Sequence, residues 1–236
     1  MQTIGLIGGM SWASSLEYYR LINEAIRHEL GGLHSAKCIL FSVDFADVAR
    51  MQHESSWAEA TEILVEAAQK LQMAGASMVL LCTNTMHKLA EEIEARISIP
   101  FLHIADAIAA QVQAQGLRRV GLMGTRFTME QAFYRQRLVD QHGLEVLIPE
   151  PVDRDEIHRI IYGELCQGLI TPQSQARIIA IANRLAEAGA EGVLLACTEL
   201  ERLVGQAQAV VPRFDSTRIH AEAAVQRVLE GLRAAV

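Results

Sequence analysis

Thr83 and Cys197 stand at the same place in an internal repeat, and a thiol at such a strand end could act as a base or a nucleophile. Ala74-Gly75-Ala76-Ser77-Met78-Val79-Leu80-Leu81-Cys82-Thr83-Asn84-Thr85 aligns without a gap on Ala188-Gly189-Ala190-Glu191-Gly192-Val193-Leu194-Leu195-Ala196-Cys197-Thr198-Glu199, at an offset of 114. Each copy reads as a helix end, a buried strand and a polar step into a new helix. A second pair, Ile4-Gly5-Leu6-Ile7-Gly8-Gly9 and Val120-Gly121-Leu122-Met123-Gly124-Thr125, repeats at an offset of 116. Duplicated halves are expected to face each other across a cleft, each bringing a strand-end residue to opposite sides of one ligand.

The step from an apolar strand into a helix is expected to lower the pKa of Cys197 and favour its thiolate, a base or nucleophile. A free cysteine in an apolar run is equally a small core residue. Cys82 falls one residue before Thr83, so the two-residue period of a strand turns it away and into the core. Cys38 reads as inert strand packing, and Cys166 as a core or cleft residue. His87, four residues after Thr83, could position a substrate or satisfy local backbone. Arg126 could pair with a carboxylate or stand in solvent. Gly5-Leu6-Ile7-Gly8-Gly9 is not Gly-x-Gly-x-x-Gly, and no Walker lysine follows. Lys37, Lys70 and Lys88 are the only lysines, and none sits in a pyridoxal phosphate motif, so no cofactor is expected. The cysteines and eight histidines form no ligand-spaced cluster, so no metal is expected.

The elements that must position these residues alternate. Short apolar runs near 2–8, 38–44, 77–82, 118–123, 143–148 and 191–196 predict strands, and 57–73, 171–187 and 218–236 have helical periodicity. Such alternation predicts an α/β fold of two similar lobes, each a parallel sheet flanked by helices, related by pseudo-two-fold symmetry. The first lobe is expected over 1–106 and the second over 117–213, with the terminal helix 215–236 free to pack back on the first. In parallel sheets ligands bind beyond the strand carboxyl ends, which here are rich in Gly, Thr, Ser and Asn suited to helix N-caps.

The 236 residues are half apolar, enough to bury a full core. A formal charge of -7 argues against nucleic acid and anionic membrane as partners. No apolar stretch reaches the length of a membrane span, and the first residues lack a signal peptide's basic flank and cleavage site. A cytoplasmic location with four free thiols is expected.

The strand followed by Thr83-Asn84-Thr85-x-His87, and the strand followed by Cys197-Thr198-Glu199, resemble the cofactor-independent aspartate/glutamate racemase family. Gly8-Gly9-Met10-Ser11-Trp12, Gly124-Thr125-x-x-Thr128 and Asp215 to Ala221 extend the resemblance over the chain. It is similar in particular to the broad-specificity and L-aspartate/glutamate-specific racemases of enteric bacteria. The resemblance implies a homodimer that racemises a free amino acid by moving the α-proton between two flanking residues. Cys197 takes one acid/base position and Thr83 the other. Asn84, Thr85 and Thr198 would bind the α-carboxylate or ammonium; Met10, Gln52 and Thr125 would line the cleft; Glu199 would lie near the ammonium. Two departures stand out: Thr83 replaces the usual first cysteine, and Cys166 stands where members often carry a substrate-binding lysine. With one thiol, reaction is expected to run readily from the L enantiomer and poorly from the D. The rival readings are a single-cysteine arylmalonate-type decarboxylase and a non-catalytic protein that binds an acidic amino acid.

Overall fold

A computed structural model describes residues 1–205 and 210–234. The described residues fall into two compact units: residues 1–103 with the C-terminal stretch from His220, and residues 104–219.

The first unit contains β1 (Ile4–Gly8), α1 (Trp12–Leu30), β2 (Cys38–Ser42), α2 (Phe45–His53) and α3 (Trp57–Met73). It continues through β3 (Met78–Leu81), a 3-10 turn (Thr85–Leu89), α4 (Ala90–Glu94) and β4 (Phe101–Leu102). The strands form one parallel sheet in the order β2-β1-β3-β4. Side chains alternate between its faces, as a strand's period of two dictates. Ile7, Val79 and Leu81 join a core with α2 and α3 residues such as Val48 and Leu64. Leu6, Met78, Leu80 and Cys82 join the other, with Tyr18 and Ile22 of α1 and Val225 and Val228 of the terminal helix.

The second unit contains α5 (Ile104–Ala114), β5 (Arg119–Gly124), α6 (Arg126–Glu130), α7 (Ala132–Asp140), β6 (Glu145–Leu147) and α8 (Pro151–Gly163). A 3-10 turn (Leu165–Gln167), α9 (Pro172–Glu187), β7 (Gly192–Ala196), α10 (Thr198–Val204) and β8 (Arg213–Asp215) follow. Its parallel sheet runs β6-β5-β7-β8, the same order as the first. The last helix, α11 (Ser216–Arg233), starts in this unit and ends in the first. Of the periodic stretch 218–236, Ala235 and Val236 lie outside the described residues. One core cluster fills the second unit, including Val120, Leu122, Val193, Leu195 and Phe214.

The repeated Ala-Gly-Ala ends two helices in the same way. After α3, the Gly75 and Ala76 amides donate to the Gln72 and Leu71 carbonyls; after α9, Gly189 and Ala190 donate to Ala186 and Leu185. This paired closure satisfies carbonyls that the helix end would otherwise leave open. β4 and β8 were not foreseen as strands. Each is an edge of two or three residues preceded by a proline, Pro100 or Pro212, whose carbonyl accepts from the neighbouring strand. So short a run carries no readable alternation. Among the described residues, no helix is long and apolar enough to cross a membrane.

Candidate active site

In each unit the sheet order reverses between its two central strands, and the crevice beyond their carboxyl ends is the natural ligand site of an open parallel sheet. In the first unit these are β1 and β3, with Ile7 opposite Leu81. The chain leaves β1 through Gly9, whose φ of 97° only glycine adopts readily. The Gly9 amide donates to Ser15 Oγ at 2.8 Å, and Ser11 caps α1 by accepting from the Ser14 amide. Met10 is buried beside this turn. Thr83, half-buried, follows β3, and buried Asn84 and Thr85 open the 3-10 turn. Buried Gln52 arrives from α2 and donates from Nε2 to Met86 Sδ at 3.0 Å, which ties it to the same turn. His87 Nδ1 lies 2.7 Å from the Thr83 carbonyl oxygen, so the ring donates there, back onto local backbone. Cys82 is fully buried, its thiol held far up by desolvation.

In the second unit the paired ends are β5 and β7, with Gly124 opposite Ala196, so Thr125 and Cys197 leave the sheet side by side. Thr125 caps α6, accepting from the Thr128 amide. Cys197 occupies the cap position of α10 in extended conformation, but its side chain makes no cap bond. Its Sγ instead donates to Glu199 Oε2 at 3.1 Å. Thr198 Oγ1 lies 2.9 Å from Thr217 Oγ1 at the start of α11, where Asp215 Oδ1 accepts the Thr217 and Arg218 amides.

The electrostatics reverse one expectation. Cys197 was expected to favour thiolate; its thiol is held well above the ordinary range. Burial is the main cause, followed by the charge of Glu199 and then Cys166. A short helix start does not offset a carboxylate in direct contact with the sulfur. The Cys197 thiol therefore keeps its proton near neutral pH. Cys166, in the half-buried 3-10 turn after α8, is pushed up to about 12 by burial and then by Glu199. Tyr162 on α8 is raised by burial, then by Cys166, Cys197 and Glu199. Cys38 is pushed up to about 11 by burial alone. Arg126 pairs at the surface with Asp155 at 3.3 Å and Glu130 at 3.7 Å.

Thr83, Asn84, Thr85, Met10 and Gln52 thus gather at one strand edge of the first unit, and Thr125, Cys197, Thr198 and Glu199 at the equivalent edge of the second. Tyr162 and Thr217 were missed. Thr217 lies inside the quoted Asp215–Ala221 segment, but nothing in that segment singled it out; Tyr162 carried no signal beyond helical spacing to Cys166. Among the described residues no group of three His, Cys, Asp or Glu could hold a metal ion.

The sequence profile of the Asp/Glu/hydantoin racemase family matches residues 7–224. The broad specificity amino-acid racemase RacX of Bacillus subtilis (strain 168) is 26% identical over 174 residues, 72% of this chain and 73% of that protein. A crystal structure given as a candidate Asp/Glu racemase from Yersinia pestis is 49% identical, with a TM-score of 0.91 over 97% of this chain and 100% of that one. An aspartate racemase homologue from Pyrococcus horikoshii OT3 is 32% identical, with a TM-score of 0.83 over 98% and 100%. The chain belongs to the Asp/Glu/hydantoin racemase family and is an amino-acid racemase.

Proposed function

We propose that this racemase acts on free L-aspartate or L-glutamate, with Cys197 as the base that takes the α-proton and Thr83 as the acid on the other face. The observation that carries this reading is the Cys197 thiol–Glu199 carboxylate contact of 3.1 Å at the carboxyl end of β7. Burial first, and then that contact, keep the sulfur protonated before substrate binds. A substrate ammonium arriving beside Glu199 offsets its charge, and the thiol proton then leaves to water. The thiolate takes the α-proton: the Cα–H bond breaks, S–H forms, and the electron pair spreads into the α-carboxylate. Asn84, Thr85 and Thr198 supply donors that stabilise that charge. The Thr83 hydroxyl, directly or through one water, then gives a proton to the opposite face and regains one from solvent. The scheme requires both side chains to address one α-carbon.

A hydroxyl is a far weaker acid than a thiol, so its anion is far scarcer as a base at neutral pH and the two directions differ in speed. The enantiomers are equal in energy, so their kcat/KM values must match. The bias therefore shows in saturating turnover, with kcat and KM both lower from the D side. The resemblance of the chain to its family also carries the homodimer and cytoplasmic readings; a solution mass of one chain by light scattering would remove the first.

The test is an NMR screen of free L-amino acids with the enzyme in heavy water. Loss of the α-proton signal from L-aspartate or L-glutamate, and its persistence with Cys197→Ser, is the expected result. Exchange undiminished in Cys197→Ser would remove the thiol from the reaction.

A further inference from the structure

The first unit holds three buried histidines outside the residues assigned to the reaction: His87, His103 and His220. The His87 and His103 ring centroids are 4.6 Å apart, and those of His87 and His220 are 5.8 Å apart. Phe101 of β4 meets the His87 ring edge-on at 5.6 Å. His220, on α11, is fixed at both nitrogens. Its Nε2 lies 2.8 Å from the Leu102 carbonyl oxygen, which can only accept, so Nε2 carries the proton. A neutral ring then accepts at Nδ1, 2.8 Å from the Tyr18 hydroxyl of α1. α1, β4 and α11 therefore clamp one imidazole, which packs against His87.

His87 reads in the opposite sense. Its Nδ1 is the donor, because the atom 2.7 Å away is the Thr83 carbonyl oxygen. The Thr83 amide is held too, donating to Leu81 O at 2.9 Å. Both sides of the residue are thus pinned, one by its own strand and one by the histidine group.

We propose that His87 is a positioning residue: through its Nδ1–H on the Thr83 carbonyl, braced by His103 and His220, it fixes the direction of the Thr83 hydroxyl. It does not touch the substrate. This rests on the assignment of Thr83 as the acid above, and deepens it.

The measurement separates proton removal from delivery to the opposite face. L-Aspartate, or L-glutamate if that is the substrate that exchanges, is incubated in heavy water to low conversion. The ratio of deuterium in recovered L substrate to D product formed is then read. Poorly aimed delivery lengthens the carbanion's life, so more of it recaptures deuterium from the Cys197 side. His87→Asn puts an amide N–H where Nδ1 stands and should leave the ratio near that of the unmodified enzyme. His87→Gln puts its N–H near the Nε2 position and should raise the ratio about tenfold, since a misplacement of an ångström can cost ~100-fold in rate. His87→Leu should do the same if it folds. Equal ratios for Asn and Gln would overturn the proposal. Thr83→Val is the reference: if it leaves the ratio unchanged, the assignment of Thr83 fails. If it raises the ratio and His87→Gln does not, only the role of His87 fails.

Discussion

Replacing Glu199 with glutamine should make Cys197 more reactive and the enzyme slower. The carboxylate oxygen lies 3.1 Å from Sγ. Two like charges at that distance, at an effective dielectric of ~20, repel by about 5 kcal/mol. This repulsion adds to burial in keeping the thiol protonated. Glutamine removes the charge but keeps the shape and one acceptor oxygen. If a quarter of the coupling survives structural relaxation, the thiolate population near neutral pH rises about tenfold. A less basic thiolate is a weaker nucleophile, which takes back about threefold at a Brønsted slope of ~0.5. The net expectation is iodoacetamide labelling of Cys197 at least about threefold faster, rising with pH in both proteins. Peptide mass spectrometry reads the label by residue, and Cys82, fully buried, serves as the internal control. Saturating racemisation should fall, because the ammonium loses the charge it offsets. Labelling that is unchanged or slower in Glu199→Gln would refute this reasoning about the pair.

Thr83→Cys should raise saturating turnover from the D enantiomer, by chiral chromatography, since a thiol yields its anion far more readily at neutral pH; an unchanged rate would remove Thr83 from the mechanism. Asp106 joins α5 to α7 and the following loop, accepting from Arg137 at 2.7 Å on both oxygens and from His142 at 2.9 Å. Burial alone would raise its pKa, but these bonds outweigh it and the carboxyl sits below the ordinary range. Its stabilisation is then present above pH ~3.9 and lost as pH falls through the lower folded value. Asp106→Asn should cost about 2 kcal/mol at neutral pH, between the values for surface and buried pairs, by urea unfolding, and the gap should close below about pH 4. Gly9→Ala should lose at least about 2 kcal/mol, because φ is 97° and a Cβ there would run into the Val43 carbonyl oxygen.

The repeat made most of the architecture legible, because strand and helix signals recur wherever local sequence dictates them. Cys82 was placed in the core from strand alternation and its repeat partner Ala196, and it shares a sheet face with Leu80. Helix ends at Gly75 and Gly189 were readable because the terminating chemistry is local. β4 and β8 were not, since a two- or three-residue edge is defined by its neighbour's hydrogen bonds. The protonation of Cys197 was read with the wrong sign. Its position at a helix start is a sequence property, whereas its desolvation and the rotation of Glu199 back onto sulfur are set by packing. Thr217 bonds Thr198, and the charges of Cys166, Cys197 and Glu199 bear on Tyr162, across separations along the chain that spacing does not reveal.

The central claim is most directly tested by following optical activity with each pure enantiomer of aspartate and glutamate in turn, at saturation and with no cofactor added. The account predicts decay to the racemate from an L enantiomer, slower saturating turnover from its D partner, and none in Cys197→Ser. Optical rotation that persists with both L enantiomers, or saturating rates equal from the L and D forms, would contradict it.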